Sequence, residues 1–181
     1  MAVLACSPIP ASPPPTPAPP APPPSPPKSP YCATPIDFAL VLDESGSMKD
    51  SMEGSGGLKA FAKELVSEYS LGEDAARFAV VSFAADATTR VQWSYDAAEI
   101  GTGVDEMTPG GSTSISDGLA TARQLFADDR RSNSTKLLLL LSDGEQTTDA
   151  APGKTPTETA VDAAALAKAD GITVFAWGAS T

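Results

Sequence analysis

The 181 residues suffice for one domain of ordinary size plus an extension, and a net charge of −11 with no histidine narrows what that domain can do. So negative a surface repels phosphate backbones and anionic lipid and attracts cations, which disfavours binding to nucleic acid or a membrane surface. A Ser-His-Asp hydrolase is excluded, Cys6 and Cys32 lack zinc-ligand spacing, and no apolar run approaches the roughly 18 residues needed to span a bilayer.

Composition divides the chain into residues 1–35, a proline-rich stalk, and residues 36–181, the domain. Of the 18 prolines, 15 fall in the first 35 residues, whereas all 23 acidic residues lie from Asp37 onward. Residues 7–30 are low-complexity Pro, Ser and Ala. Proline fixes φ and cannot donate to a ladder, so this stretch is expected to form polyproline II, roughly 3.1 Å per residue and about 70 Å long. Its Ser-Pro-Pro-Pro and Ser-Pro-Pro-Lys-Ser-Pro pieces resemble the hydroxyproline-rich spacers of plant and green-algal cell-wall glycoproteins. A cytosolic linker and a ligand for a proline-reading domain have the same composition. Residues 1–6 lack the basic start and full apolar segment of a secretory signal.

Residues 36–42 read as a strand buried on both faces, and the run ends in Asp43, Ser45 and Ser47, with Gly46 allowing a tight bend. Leu58, Phe61, Ala62, Leu65, Val66 and Tyr69 recur at helical spacing, predicting an amphipathic helix over 58–70, with Met52 and Phe61 in or near the core. Residues 77–84 and 88–93 read as strands joined by Ala85-Asp86 into an antiparallel hairpin at a sheet edge, with Val91 and Trp93 facing in. Residues 101–117 read mostly as loop, made pliable by Gly110 and Gly111 ahead of a helix carrying Ile115, Leu119, Ala122 and Phe126.

Lys136 to Ser142 repeats the pattern of the first strand: five leucines run into Asp143 and Gly144. Thr155, Pro156 and Glu158 form a capping box with proline at the first helical position, so a helix runs to Ala169, Gly171 stops it, and 172–177 is a strand. Strands alternating with helices predict an α/β fold, a doubly wound, mostly parallel sheet with right-handed crossovers. Such a sheet normally closes with a further helix or strand-helix unit, so the domain is expected to be truncated at its C-terminus.

Asp43, Ser45, Ser47, Thr113 and Asp143 bring two carboxylates and three hydroxyls to strand ends and a glycine-rich loop. In open α/β sheets ligands gather at the carboxyl ends of strands, and hard oxygens without imidazole or thiolate suit Mg²⁺ or Mn²⁺ rather than zinc or copper. Asp-x-Ser-x-Ser alone is equally a strand followed by a helix cap.

The whole set resembles the von Willebrand factor type A domain, whose metal-ion-dependent adhesion site combines Asp-x-Ser-x-Ser, a threonine in a glycine-rich loop and a strand-ending Asp-Gly. The resemblance covers residues 36 to about 178. It implies Ser45 and Ser47 as direct ligands, Thr113 and Asp143 as a pair that exchanges direct for water-mediated contact, and Asp43 as binding through water. Ser112 and Ser114 flank Thr113, and family spacing favours Thr113. The resemblance further implies a carboxylate from a protein or glycan partner as the outside ligand. Glu44 and Glu145, beside the site, read as solvated or supporting residues rather than ligands.

The closing C-terminal helix of the family has no counterpart here. Extracellular members often pair a cysteine at the place of Cys32 with one beyond the domain, which leaves Cys6, another molecule, or no partner. Asn133-Ser134-Thr135 is an acceptor triplet for N-glycosylation in a predicted surface turn.

An aspartyl phosphotransferase resembling haloacid dehalogenases would carry a second Asp at position 45, where this chain has Ser45. Gly153-Lys154-Thr155 lacks the earlier glycine of a phosphate-binding loop, since position 148 is Thr148. The reading is therefore a non-enzymatic, divalent-cation-dependent adhesion or protein-binding module, extracellular or at the cell wall or surface. The alternative is a cytoplasmic scaffold of the same family that assembles protein complexes.

Overall fold

A computed structural model of the chain describes residues 34–129, 131–148 and 150–178. The expected polyproline segment, Cys6 and Cys32 lie outside the described residues. Five strands form one sheet in the order β3-β2-β1-β4-β5, comprising β1 (Ile36–Asp43), β2 (Ala76–Phe83), β3 (Ala87–Ser94), β4 (Thr135–Ser142) and β5 (Thr173–Gly178). All neighbours are parallel except the β2–β3 hairpin. The doubly wound, mostly parallel α/β fold anticipated from the alternation of elements is the one observed.

Successive side chains of a strand point to opposite faces, and β1 uses both. Phe38, Leu40 and Leu42 pack with Phe78, Val80, Leu139 and Leu141 under α1 (Leu58–Ser67) and α2 (Ala97–Asp105). Ala39 and Val41 pack with Ala79, Val81, Phe83 and Leu138 under α3 (Ile115–Asp128) and α4 (Pro156–Ala169). A central strand covered on both sides must be apolar throughout, which is why 36–42 reads as an unbroken run.

Two expectations need correction. Residues 101–117 are loop only over 106–114, because a helix that the sequence reading missed, α2, fills 97–105 and α3 begins at Ile115. Gly101 and Gly103 masked the helix, each costing about 1 kcal/mol of helix propensity relative to alanine. Yet Asp96 caps it by accepting from Ala98 N and Glu99 N, and Ile100, Gly103 and Val104 form its buried side, with buried Met107 just beyond its end. Gly103 is required, since a Cβ there would meet Val91 Cγ2 at 2.2 Å.

Val91 and Trp93 both pack inward but on opposite faces, although residues two apart normally share one. The register between β2 and β3 shifts around Val80, pairing Phe78 with Ser94 but Val80 with Val91, so an extra residue on β3 reverses the alternation. Trp93 then packs against Phe126, the rings tilted by 55° with centroids 4.9 Å apart, and donates from Nε1 to Leu125 O at 3.2 Å.

The topology also sets the site. The chain winds from β1 outward to β3 on one side, then crosses to β4 on the other, so β1 and β4 flank the switch point. Leu42 pairs with Leu141, which brings the ends of both strands to one place.

Candidate metal centre

Asp43 ends β1 with its side chain wholly buried. Its Oδ1 accepts from Ser45 N at 2.8 Å, closing the turn, and its Oδ2 accepts from Ser142 Oγ at 2.6 Å across the strand pair. Ser45 then leads into a 3₁₀ turn over Gly46–Lys49. That tight winding puts Ser45 Oγ 3.1 Å from Ser47 Oγ, and Ser47 Oγ donates to Asp143 Oδ1 at 2.8 Å. One line of hydrogen bonds thus joins residues that are 96 positions apart.

Thr113 reaches this place through its backbone. Its loop is fastened to the Asp43–Ser47 loop by Gly46 N donating to Gly111 O at 3.1 Å, and by Gly110 N donating to Glu44 O at 2.8 Å. Gly111 adopts φ +79°, the left-handed region glycine tolerates. Thr113 is buried, and it exchanges two bonds with Thr147: its N donates to Thr147 Oγ1 at 3.0 Å, and its O accepts from Thr147 N at 2.9 Å. No direct hydrogen bond joins Thr113 to the other four candidate residues.

Charge is the distinctive feature of the centre. Burial, reinforced by the neighbouring charge of Asp143, pushes the Asp43 carboxyl above the ordinary carboxylate range despite its bonds to Ser142 and Ser45. No ion pair among the described residues involves Asp43 or Asp143. Asp143 Oδ2 is buried with no hydrogen-bond partner among the described residues. A buried carboxylate oxygen without a donor is costly, and a cation is the species that satisfies oxygens that N–H and O–H groups do not reach. The residues therefore fit a hard divalent cation. Hydroxyls make up most of the donor set, for no cluster of three or more His, Cys, Asp or Glu occurs among the described residues.

Three supporting residues escape a sequence reading. Ser142 and Thr147 carry the bonds just described, and Gln146 Oε1 accepts from Ser116 N at 2.8 Å, tying the start of α3 to the loop after β4. Only the position of Ser142, immediately before Asp143-Gly144, hints at its role.

Of the two readings of Glu44, solvated or supporting, the structure has the supporting one. It is buried, and it holds Arg90 through Nη2 at 2.7 Å and accepts from Ser82 Oγ at 2.8 Å and Thr108 N at 3.1 Å. It buttresses the loop that carries Thr113. Glu145 is exposed.

A model of the von Willebrand factor type A domain matches residues 37–181. The chain belongs to that family. The mouse (Mus musculus) collagen alpha-6(VI) chain is 32% identical over 114 residues, 60% of this chain and 5% of that protein. Proximal thread matrix protein 1 of the mussel byssus, solved with a zinc-occupied MIDAS motif, is 30% identical with a TM-score of 0.66 over 83% of this chain and 37% of its own. The von Willebrand domain of the type V pili tip protein Mfa5 of Porphyromonas gingivalis is 26% identical with a TM-score of 0.53, over 64% of this chain and 40% of its own. This von Willebrand factor type A chain spans well under two thirds of each of these relatives.

Proposed function

We propose that this von Willebrand factor type A chain is a divalent-cation-dependent adhesion or protein-binding module. Asp43, Ser45, Ser47, Thr113 and Asp143 hold Mg²⁺ or Mn²⁺, and an acidic group of a protein or glycan partner is the outside ligand. The observation that carries this reading is the buried, unpartnered Asp143 Oδ2 at the end of the Ser45–Ser47–Asp143 line of bonds. The zinc-occupied motif of the mussel protein supports a metal at the corresponding place. The two carboxylates offset the charge of the ion and the three hydroxyls add none, so the set is not driven negative and leaves a coordination position for an outside carboxylate.

The chain's own residues prepare that position. Asp43 accepts from Ser45 N and Ser142 Oγ, so the turn is set before any ligand arrives. Glu44 and Arg90 hold the neighbouring loop, which limits the ordering cost of binding. The absence of histidine, which a Ser-His-Asp arrangement requires, supports a non-catalytic role. Relatives named for a collagen, the byssus and a pilus tip support an extracellular or cell-surface location, where a proline-rich stalk would carry the domain.

The test is calorimetric titration of the chain with Mg²⁺, Mn²⁺ and Zn²⁺, beside Ser45→Ala with Ser47→Ala. Saturable binding in the parent and none in the folded double variant is the expected outcome. A well-folded parent that binds none of the three ions overturns the proposal.

A further inference from the structure

Asn133 is the one asparagine of the chain, and it opens the triplet Asn133-Ser134-Thr135. Asn133 forms the bend that leads into β4, which begins at Thr135. Its surroundings are clamped inward. Ser134 Oγ donates to the buried Asp37 Oδ2, Arg131 Nη1 donates to Asp37 Oδ1 at 2.8 Å, and Arg131 Nη2 donates to Ala75 O at 3.2 Å. With Ser134 turned into the domain, the residues on either side turn outward, and both Asn133 and Thr135 are exposed. No hydrogen bond ties the Asn133 side chain to another described residue.

The place within the sheet matters as much as the exposure. Thr135 pairs with Ile36, the first residue of β1, and Thr135 N donates to Pro35 O at 2.7 Å. Asn133 therefore sits where the chain enters the domain. Asp43 is the last residue of β1 and Asp143 follows the last of β4, so both lie at the other ends of the same two strands, about 23 Å from Ile36 and about 26 Å from Thr135 at roughly 3.3 Å per residue.

From this we infer that Asn133 carries an N-linked glycan, beside the entry of the chain and at the pole of the sheet opposite the metal centre; the inference rests on the extracellular reading above. The carboxamide nitrogen of Asn133 attacks the anomeric carbon of a lipid-pyrophosphate-linked oligosaccharide. An N–C bond forms, the C–O bond to pyrophosphate breaks, the lipid pyrophosphate leaves, and the amide nitrogen loses one proton. The hydroxyl that the acceptor triplet requires at its third position is that of exposed Thr135. The fold accepts the added bulk because Asn133 contributes no bond that the clamp around Asp37 needs.

The full chain, expressed behind a secretory leader in a eukaryotic cell, is purified from pooled cells and medium and mapped by mass spectrometry before and after peptide-N-glycosidase treatment. The expected result is a heterogeneous mass excess at residue 133 that the enzyme removes, leaving aspartate. It is lost in Asn133→Gln and Thr135→Ala and retained in Thr135→Ser. Sugars on serine or hydroxylated proline of residues 7–30 survive that enzyme and are counted separately. Unmodified Asn133 in the parent chain overturns the inference, whatever the cation titration shows. Cation affinity is expected to be equal before and after glycan removal; affinity that appears only after removal overturns the opposite-pole placement. Failure of the cation reading instead shows as no binding in either form.

Discussion

Asp37 and Asp43 stand at the two ends of β1, both wholly buried, and their surroundings separate a structural carboxylate from a ligating one. Burial alone would raise Asp37, but Arg77 at 2.7 Å, Ser134 and Arg131 hold it below the ordinary 3.8. A depressed carboxyl stabilises the fold above its unfolded value, and that contribution is lost as pH falls through the lower folded value. Stability should therefore decline as pH drops below about 3.8, and Asp37→Asn should flatten that decline while weakening the fold at neutral pH by ~3 kcal/mol, because Arg77 and Arg131 both lose this carboxylate and only Arg77 keeps another, Asp129. Urea unfolding across pH measures both. Asp43 has the opposite sign: its raised value means that the charged form is disfavoured on folding at neutral pH. Asp43→Asn should abolish cation binding yet leave the melting temperature in chelator equal or higher. A melting point well below the parent's would show that the charge is needed for folding.

At the scale of elements, close approach between helices and sheet decides where glycine is required. Gly118 on α3 lies over the sheet, where a Cβ would meet Phe83 Cδ1 at 2.8 Å and Val41 Cγ1 at 2.9 Å. Alanine gains about 1 kcal/mol of helix propensity, whereas overpacking a filled core costs ~1–3 kcal/mol. Gly118→Ala is expected to lower the urea midpoint, with Gly72→Ala, open on every side, as the mild control. The same contacts explain what was legible in the sequence. The stripe of α1, the capping box of α4 and the β2–β3 hairpin follow from local pattern and turn chemistry. The helix α2 was obscured because one of its glycines, Gly103, answers to Val91 on another element, and the extra residue of β3 follows from pairing rather than from spacing.

Over the described domain, packing is uneven. β5 is an edge strand with Phe175 and Trp177 more than half exposed, and Val161 and Leu166 of α4 are likewise exposed. Phe61 and Trp177, with ring centroids 5.7 Å apart, line a groove of about 510 Å³ with Leu58 and Leu141, and none of the five candidate metal residues lines it. An apolar edge strand promotes association. Sedimentation of this 181-residue chain should show concentration-dependent self-association that Phe175→Ser with Trp177→Ser reduces; an unchanged distribution would show the edge to be inert. By itself the sequence determined the doubly covered strands and their order of succession, and it singled out the five oxygen-bearing candidates proposed as the metal site, because burial on both faces and strand-end loops leave a pattern within a few neighbouring positions. Only the tertiary structure decided that β4 lies beside β1, that Ser142 reaches Asp43, that Glu44 turns to Arg90, and that Asp143 Oδ2 is buried without a donor among the described residues. Each of those is a relation between residues far apart in the chain, set by sheet order and register, to which no local pattern corresponds.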